Sequence, residues 1–253
     1  IQIKNAKELD GMRRANALSA AALKYGGEHI EAGMTTWELD KLIYDFIVKH
    51  GGIPNFKGLY GFPGTACISL NDTIIHGIPS HDIVIRPGDI VSIDTGAKVD
   101  GFNGDNACTY AVGKVDLEAQ RLLEVTKASL YKGIGQAVAG NRIGDIGHAV
   151  QTYVEENGMA VVKKFVGHGV GEPDTVRRSE GVAGNQRHAR FTEQAGTGGG
   201  GVGHFFVIQG GNIREQVERA LGFGQTTFDH EAISFHAISR RFWKAWRMDS
   251  TQS

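Results

Sequence analysis

The feature that most constrains the fold is a pair of strand-like runs, residues 89–95 and 105–112, which carry Asp94 and Asp105 and have Asp100-Gly101 between them. An Asp-Gly pair between two such runs is a strong signal for a two-residue hairpin turn, because both turn residues need positive φ. If this pair is the turn, residue 94 faces residue 107 and residue 96 faces residue 105. Asp94 and Asp105 then lie on one face of adjacent strands, one diagonal step apart.

Two carboxylates this close repel each other, so one of them loses its charge unless a positive group lies between them. A shared proton, a buried lysine or a metal ion could each fill that place. A turn aspartate at the sheet edge would need none of them, but Asp94 lies between Ile93 and Thr95 in mid-strand. We therefore favour the metal ion and keep the shared proton and the buried lysine as alternatives.

Two histidines are candidates for the same site. His168 lies in "GHGVG", where the flanking glycines let the backbone approach closely and leave the imidazole uncrowded. Imidazole combined with carboxylate oxygens suits Zn, Mn, Fe or Co rather than a thiolate-bound metal. His76 precedes "GIP", a stiff loop, and is a candidate second ligand or proton donor.

Helices and extended segments alternate along the first two thirds of the chain. Apolar periodicity predicts helices at 7–24, 35–50, 117–134 and 143–157. Strand-like runs occur at 66–70, 73–76, 89–95 and 105–112, and the strand "MAVVKKFVGHGVG" leads to His168. Two helices that end in glycine each lead to a His-Gly pair, at 76–77 and 168–169, which indicates two related α+β halves.

Composition excludes several classes of protein. A net charge of −1 gives no electrostatic footprint for nucleic acid or for a membrane surface. The two cysteines, Cys67 and Cys108, fit a reducing compartment. No run approaches the roughly 18 apolar residues of a membrane span. A cytoplasmic protein is therefore the expectation.

Three segments carry a family resemblance. "CISLNDTIIHGIP", "GDIVSIDTGAKVDGFNGDNACTYAVG" and "FVGHGVG" resemble type I methionine aminopeptidases, which are members of the pita-bread metallopeptidases. The resemblance implies an α+β pita-bread fold, with two pseudo-symmetric halves and an antiparallel sheet covered by helices. The metal ligands that it implies are Asp94, Asp105 and His168. The substrate-binding residues that it implies are His76, which is also the catalytic residue, Phe62 and Cys67.

The implied activity is removal of the N-terminal methionine from nascent proteins by a metal-activated water. Two divalent ions per chain (Co, Mn, Fe or Zn) are implied, in a cytoplasmic monomer that works near the ribosome. One alternative is an Xaa-Pro peptidase relative, which the close matches at "HGIP" and "GHGVG" oppose. The other is a non-catalytic pita-bread binding protein with a degenerate metal site, which the three retained ligands oppose.

The last third of the chain departs from the family. Residues 1–171 contain 12 Lys and 5 Arg, whereas residues 172–253 contain 1 Lys and 9 Arg. The two glutamate ligand motifs of the family are absent; only "FFVIQGG", with Gln209, and "FDHEAI" echo them faintly. The sequence therefore predicts a metallopeptidase core at 1–171 and an aberrant segment at 172–253 that replaces the end of the same catalytic domain. Low or absent turnover is the expected consequence.

Overall fold

The computed structural model of the chain describes residues 5–138, 140–161, 205–209 and 235–238. The helices of this part are α1 (Ala6–Glu28), α2 (Thr36–Lys49), α3 (Leu117–Ile134) and α4 (Ile143–Glu156). The strands are β1 (Ile53–Pro54), β2 (Ala66–Leu70), β3 (Ile90–Val99), β4 (Phe102–Ala111), β5 (Met159–Val161), β6 (Phe205–Gln209) and β7 (Phe235–Ile238). Among the described residues, none of the helices could cross a membrane.

The central strand of the first sheet is β3. It pairs antiparallel with β4 along one edge, and with β2 and β1 along the other. Asp100 and Gly101 have φ of 51° and 86° and form the predicted two-residue turn. The predicted register is confirmed, because Asp94 is paired with Ala107, and Gly96 with Asp105.

The two faces of this sheet differ in polarity because side chains alternate along each strand. The side chains that pack against α1 and α2 are apolar: Ala66, Ile68, Val91, Ile93 and Ala97. The opposite face carries three rows across β2, β3 and β4, set by the register: Ser69–Ser92–Thr109, then Cys67–Asp94–Ala107, then Gly96–Asp105. The candidate site therefore lies on the face away from the apolar core.

The second helix, α2, begins as its sequence predicts. The Thr35 hydroxyl accepts from the backbone N–H of Glu38, and the Glu38 carboxylate accepts from the N–H of Thr35, which completes the capping box. Its buried stripe is Leu39, Ile43 and Ile47, with one acid, Asp40, beside them.

The second half repeats the theme of helices on a sheet. α3 and α4 pack together, and their core includes Leu122, Val150 and Val154 with Met159 and Val161 of β5. β5 pairs antiparallel with β6, and β6 pairs parallel with β7. The predicted bounds of α3 are confirmed, and those of α4 agree to within one residue.

One predicted strand is wrong. Residues 73–76 form a loop instead, because the chain turns back beside β2 through two left-handed residues, Asn71 (φ 53°) and His76 (φ 56°). Gly77 then returns to β2, where its carbonyl accepts from the N–H of Ile68 at 2.8 Å. The strands β1, β6 and β7 are not predicted from the sequence, although β6 begins with the strand-forming run "FFVI".

Candidate metal centre

Asp94 and Cys67 form the middle row of the polar face. They are register partners on β3 and β2, and they are only 5% and 6% exposed. Asp105 lies on β4, one diagonal step from Asp94 on the same face. The predicted juxtaposition of the two aspartates is therefore present, and the buried Cys67 thiol lies beside Asp94.

The two aspartates are electrostatically frustrated. Burial, followed by the charge of Asp105, raises the pKa of Asp94 well above its usual range. Burial also raises the pKa of Asp105 to about 7, and its hydrogen bond with Asp94 opposes that rise. At neutral pH the pair without a cation thus retains at least one proton, because two adjacent buried negative charges are too costly.

One oxygen of each carboxyl group has no donor. The Oδ1 atoms of Asp94 and Asp105 are buried and have no hydrogen-bond partner in the part of the chain that the structure describes. Buried polar atoms nearly always find a partner. Carboxylate oxygens aligned on one face with no donor fit a divalent cation, which would replace the shared proton and accept both charges.

The thiol beside the pair is neutral when no cation is bound. Burial, then the charges of Asp94, Asp105 and Asp40, raise the pKa of Cys67 well above its usual range. Cys67 therefore stays a neutral thiol, and the carboxylates are the anionic groups of the site.

Close packing of α1 holds β4, the strand that carries Asp105. A Cβ on Gly104 would lie 2.3 Å from the backbone of Ala15, so only glycine allows this approach. The Asn16 side chain on α1 then accepts from the N–H of Asp105 at 3.3 Å. The helix thereby sets the position of one carboxylate.

His76 is held at the end of β2 by a strap, residues 76–79. Gly77 donates its N–H to the Ser69 hydroxyl at 3.1 Å and accepts from Ile68. A Cβ on Gly77 would lie 2.1 Å from the Ile68 oxygen, so the strap contacts the strand directly. The His76 side chain is exposed, and its left-handed backbone is the strained point of the strap.

A buried acid, Asp40, holds the loop that leads into β2. The Asp40 carboxylate, 4% exposed, accepts from the N–H groups of Thr65 and Ala66 at 2.7 and 2.8 Å. These bonds anchor the loop that runs from half-buried Phe62 into β2. Sequence analysis missed Asp40, although an acid on the apolar stripe of an amphipathic helix is a usable signal.

The third predicted ligand, His168, lies outside the described residues, and so do residues 172–204 of the predicted C-terminal segment. Within the ranges that are described, no three His, Cys, Asp or Glu side chains are grouped for metal binding. The structure thus brings together Asp94, Asp105 and Cys67, and it places His76 and Phe62 on loops that adjoin β2.

Comparisons with known proteins identify the family. Residues 10–194 match metallopeptidase family M24. The chain is 46% identical over 172 residues to a methionine aminopeptidase of Clostridium acetobutylicum, covering 68% of this chain and 69% of that protein. It is 47% identical over 169 residues to methionine aminopeptidase 1 of Bacillus subtilis, covering 67% and 68%.

Solved structures agree with this assignment. The crystal structure of methionine aminopeptidase from Rickettsia prowazekii matches with a TM-score of 0.66 at 38% identity, over 68% of each chain. The predicted α+β pita-bread fold is confirmed by this similarity. The chain belongs to metallopeptidase family M24 and, within it, to the methionine aminopeptidases.

Proposed function

We propose that this chain removes the N-terminal methionine from polypeptides by metal-dependent hydrolysis of the first peptide bond. The observation that carries the proposal is the buried Asp94–Asp105 pair, whose partnerless oxygens need a cation. Family membership supplies the reaction class, since the relatives above are named methionine aminopeptidases.

The cation would be held by Asp94 and Asp105, with His168 as the third ligand that the family resemblance implies. A bound divalent ion supplies water activation and carbonyl polarisation at neutral pH. We propose that the native ion is Co, Mn, Fe or Zn and that two ions bind per chain, as the family resemblance implies.

The substrate would be positioned by groups on either side of β2. His76, presented by its strap, is proposed to hydrogen-bond the peptide near the scissile bond as the catalytic imidazole. Phe62 and Cys67 are proposed to contact the methionine side chain, because an aromatic ring and a neutral buried thiol suit an apolar thioether. Cys67 is the best supported of these, since it adjoins Asp94 directly.

We further propose a cytoplasmic monomer that acts on nascent chains near the ribosome. Both cysteines are free thiols, which suits a reducing compartment. Residues 172–253 are proposed to replace the end of the catalytic domain, so the rate would be limited by the ligands that this segment fails to supply.

The test is to load the full chain with Mn²⁺ or Co²⁺, incubate it with a Met-Ala-Ser peptide and measure the released methionine by mass spectrometry. We expect slow, metal-dependent release that is lost in Asp94→Asn, whereas Asp72→Asn, a change at an exposed acid, leaves the slow rate unchanged. Release that survives in both variants would show that the aspartate pair is not the metal centre.

A further inference from the structure

Gly96 leaves a gap in the polar face between the two aspartates. It follows Asp94 by two residues on β3 and faces Asp105 across the hairpin. Asn55, which follows β1, fills this gap: a Cβ on Gly96 would lie 3.1 Å from both the Cβ and the Nδ2 of Asn55. The Asn55 side chain therefore lies over Gly96, the residue that is paired with Asp105 in the register.

Backbone bonds orient the Asn55 carboxamide. Its main-chain N–H donates to the Gly96 carbonyl at 3.0 Å, and its Nδ2 donates to the Gly104 carbonyl at 3.4 Å. A carbonyl accepts only from the nitrogen of an amide, so this contact fixes which end is oxygen. The Asn55 Oδ1 is left buried without a partner among the described residues.

Three residues on or beside the Gly96 part of the polar face thus have a buried oxygen with no donor in the described part of the chain: Oδ1 of Asn55, of Asp94 and of Asp105. A buried acceptor without a donor is destabilising. Beside two carboxylates the amide dipole adds repulsion, so this arrangement is unfavourable without a positive group. A cation at the aspartate pair would satisfy all three oxygens together.

We propose that Asn55 is a further, neutral oxygen donor to the cation that Asp94 and Asp105 hold. The proposal rests on the proposed function only in requiring a cation at the aspartate pair. It adds a ligand-facing residue from the end of β1, an element outside the sequence motifs.

The donor chemistry predicts selectivity. A carboxamide oxygen is a hard ligand, of the kind that suits Mn²⁺, Mg²⁺ and Ca²⁺ better than the softer sites preferred by Zn²⁺. Asn55 should therefore strengthen Mn²⁺ binding more than Zn²⁺ binding.

The test is calorimetric titration of the full metal-free chain with Mn²⁺ and Zn²⁺, which does not depend on activity. We expect Asn55→Ala to weaken Mn²⁺ binding by about tenfold or more, with a smaller effect on Zn²⁺. Asn55→Asp, which adds a charge at the same place, should tighten Mn²⁺ binding.

Thr95→Val is the matched control. Thr95 also has a buried partnerless oxygen among the described residues and adjoins Asp94 in sequence, but it lies on the apolar face of β3. We expect the Thr95→Val variant to bind Mn²⁺ with the same affinity as the wild type.

Three outcomes decide the proposal. Unchanged Mn²⁺ affinity in Asn55→Ala, with strong loss in Asp94→Asn, overturns the role of Asn55 and leaves the proposed function intact. Unchanged affinity in Asp94→Asn overturns the proposed site itself. If circular dichroism shows that Asn55→Ala is unfolded, Asn55→Asp decides, and weaker or equal Mn²⁺ binding in that variant overturns the proposal.

Discussion

Replacing Asp94 with asparagine should make the metal-free protein more stable while it destroys the metal centre. The introduced carboxamide would replace a carboxyl group that must stay protonated in the metal-free pair, and it could donate to the Asp105 carboxylate, which has no donor for its Oδ1 among the described residues. A site built to bind a cation is expected to be a liability for folding when the cation is removed.

Asparagine at position 94 removes the titration of Asp94, whose pKa is raised well above its usual range. The neighbouring Asp105, whose pKa burial raises from 3.8 to about 7, gives the scale of such an effect. The folded chain then holds a proton that the unfolded chain releases above about pH 4. Between about pH 4 and the folded-state pKa, the folded chain binds more protons than the unfolded chain. The free energy of unfolding therefore falls as the pH rises through this range. At about 1.4 kcal/mol per pH unit, Asp105 alone removes roughly 3 kcal/mol between pH 5 and pH 8. Asp94 acts in the same direction, since its pKa is raised too.

The assay is urea unfolding of both proteins at pH 5 and pH 8 in the presence of a chelator. We expect a smaller loss of stability with pH in Asp94→Asn, and a variant more stable than the wild type at pH 8 by roughly 2 kcal/mol. Asp72→Asn controls for general charge effects, because Asp72 is exposed. Without the chelator, Mn²⁺ at about 100 times its Kd should stabilise the wild type by about 2.7 kcal/mol and leave the variant unchanged. Equal pH dependence in the wild type and Asp94→Asn would refute the reasoning.

Three further changes test the rest of the site. Asp40→Ala removes the acceptor of two buried backbone N–H groups and should cost about 2–5 kcal/mol in urea unfolding, whereas Asp45→Ala, at an exposed position of the same helix, should change stability by about 0.5 kcal/mol or less. His76→Ala should lower methionine release at unchanged metal content; loss of metal, measured by atomic absorption, would instead place His76 among the ligands. Limited proteolysis should cut first between residues 172 and 204. A family-like segment in place of residues 172–253 should raise methionine release. Robust release by the unaltered chain would contradict the role proposed for its C-terminal segment.

The hairpin that carries the aspartates could be predicted because its determinants are local. Asp100-Gly101 sets the turn, the turn sets the register, and the register places Asp94 diagonally to Asp105. The start of α2 could be predicted for the same reason, since Thr35 and Glu38 form their capping box within one turn. Local chemistry was sufficient in both cases.

Other parts of the site depend on contacts between segments that are distant in sequence. Asp40 meets Thr65 across 25 residues, and Asn55 meets Gly104 across 49. The run 73–76 has strand-forming residues, yet the left-handed backbone at His76 makes it a loop. Periodicity reports which face of an element is apolar, but it does not report which partner a polar side chain finds.

The polar face shows how the position of a ligand site can be set by the supply of donors. At one end of the face, Ser92 and Thr109 satisfy each other through a 2.7 Å hydroxyl hydrogen bond, and Ser69 accepts from Gly77. Hydroxyl groups can both donate and accept, so this end needs no ion. Two residues further along β3 and four further along β4, Asp94 and Asp105 present carboxylate oxygens, and Asn55 beside β3 presents an amide oxygen. These oxygens accept and do not donate once the carboxyl groups are ionised. The cation site therefore begins where the donors end, and its place on the sheet follows from the order of residue types along β3 and β4.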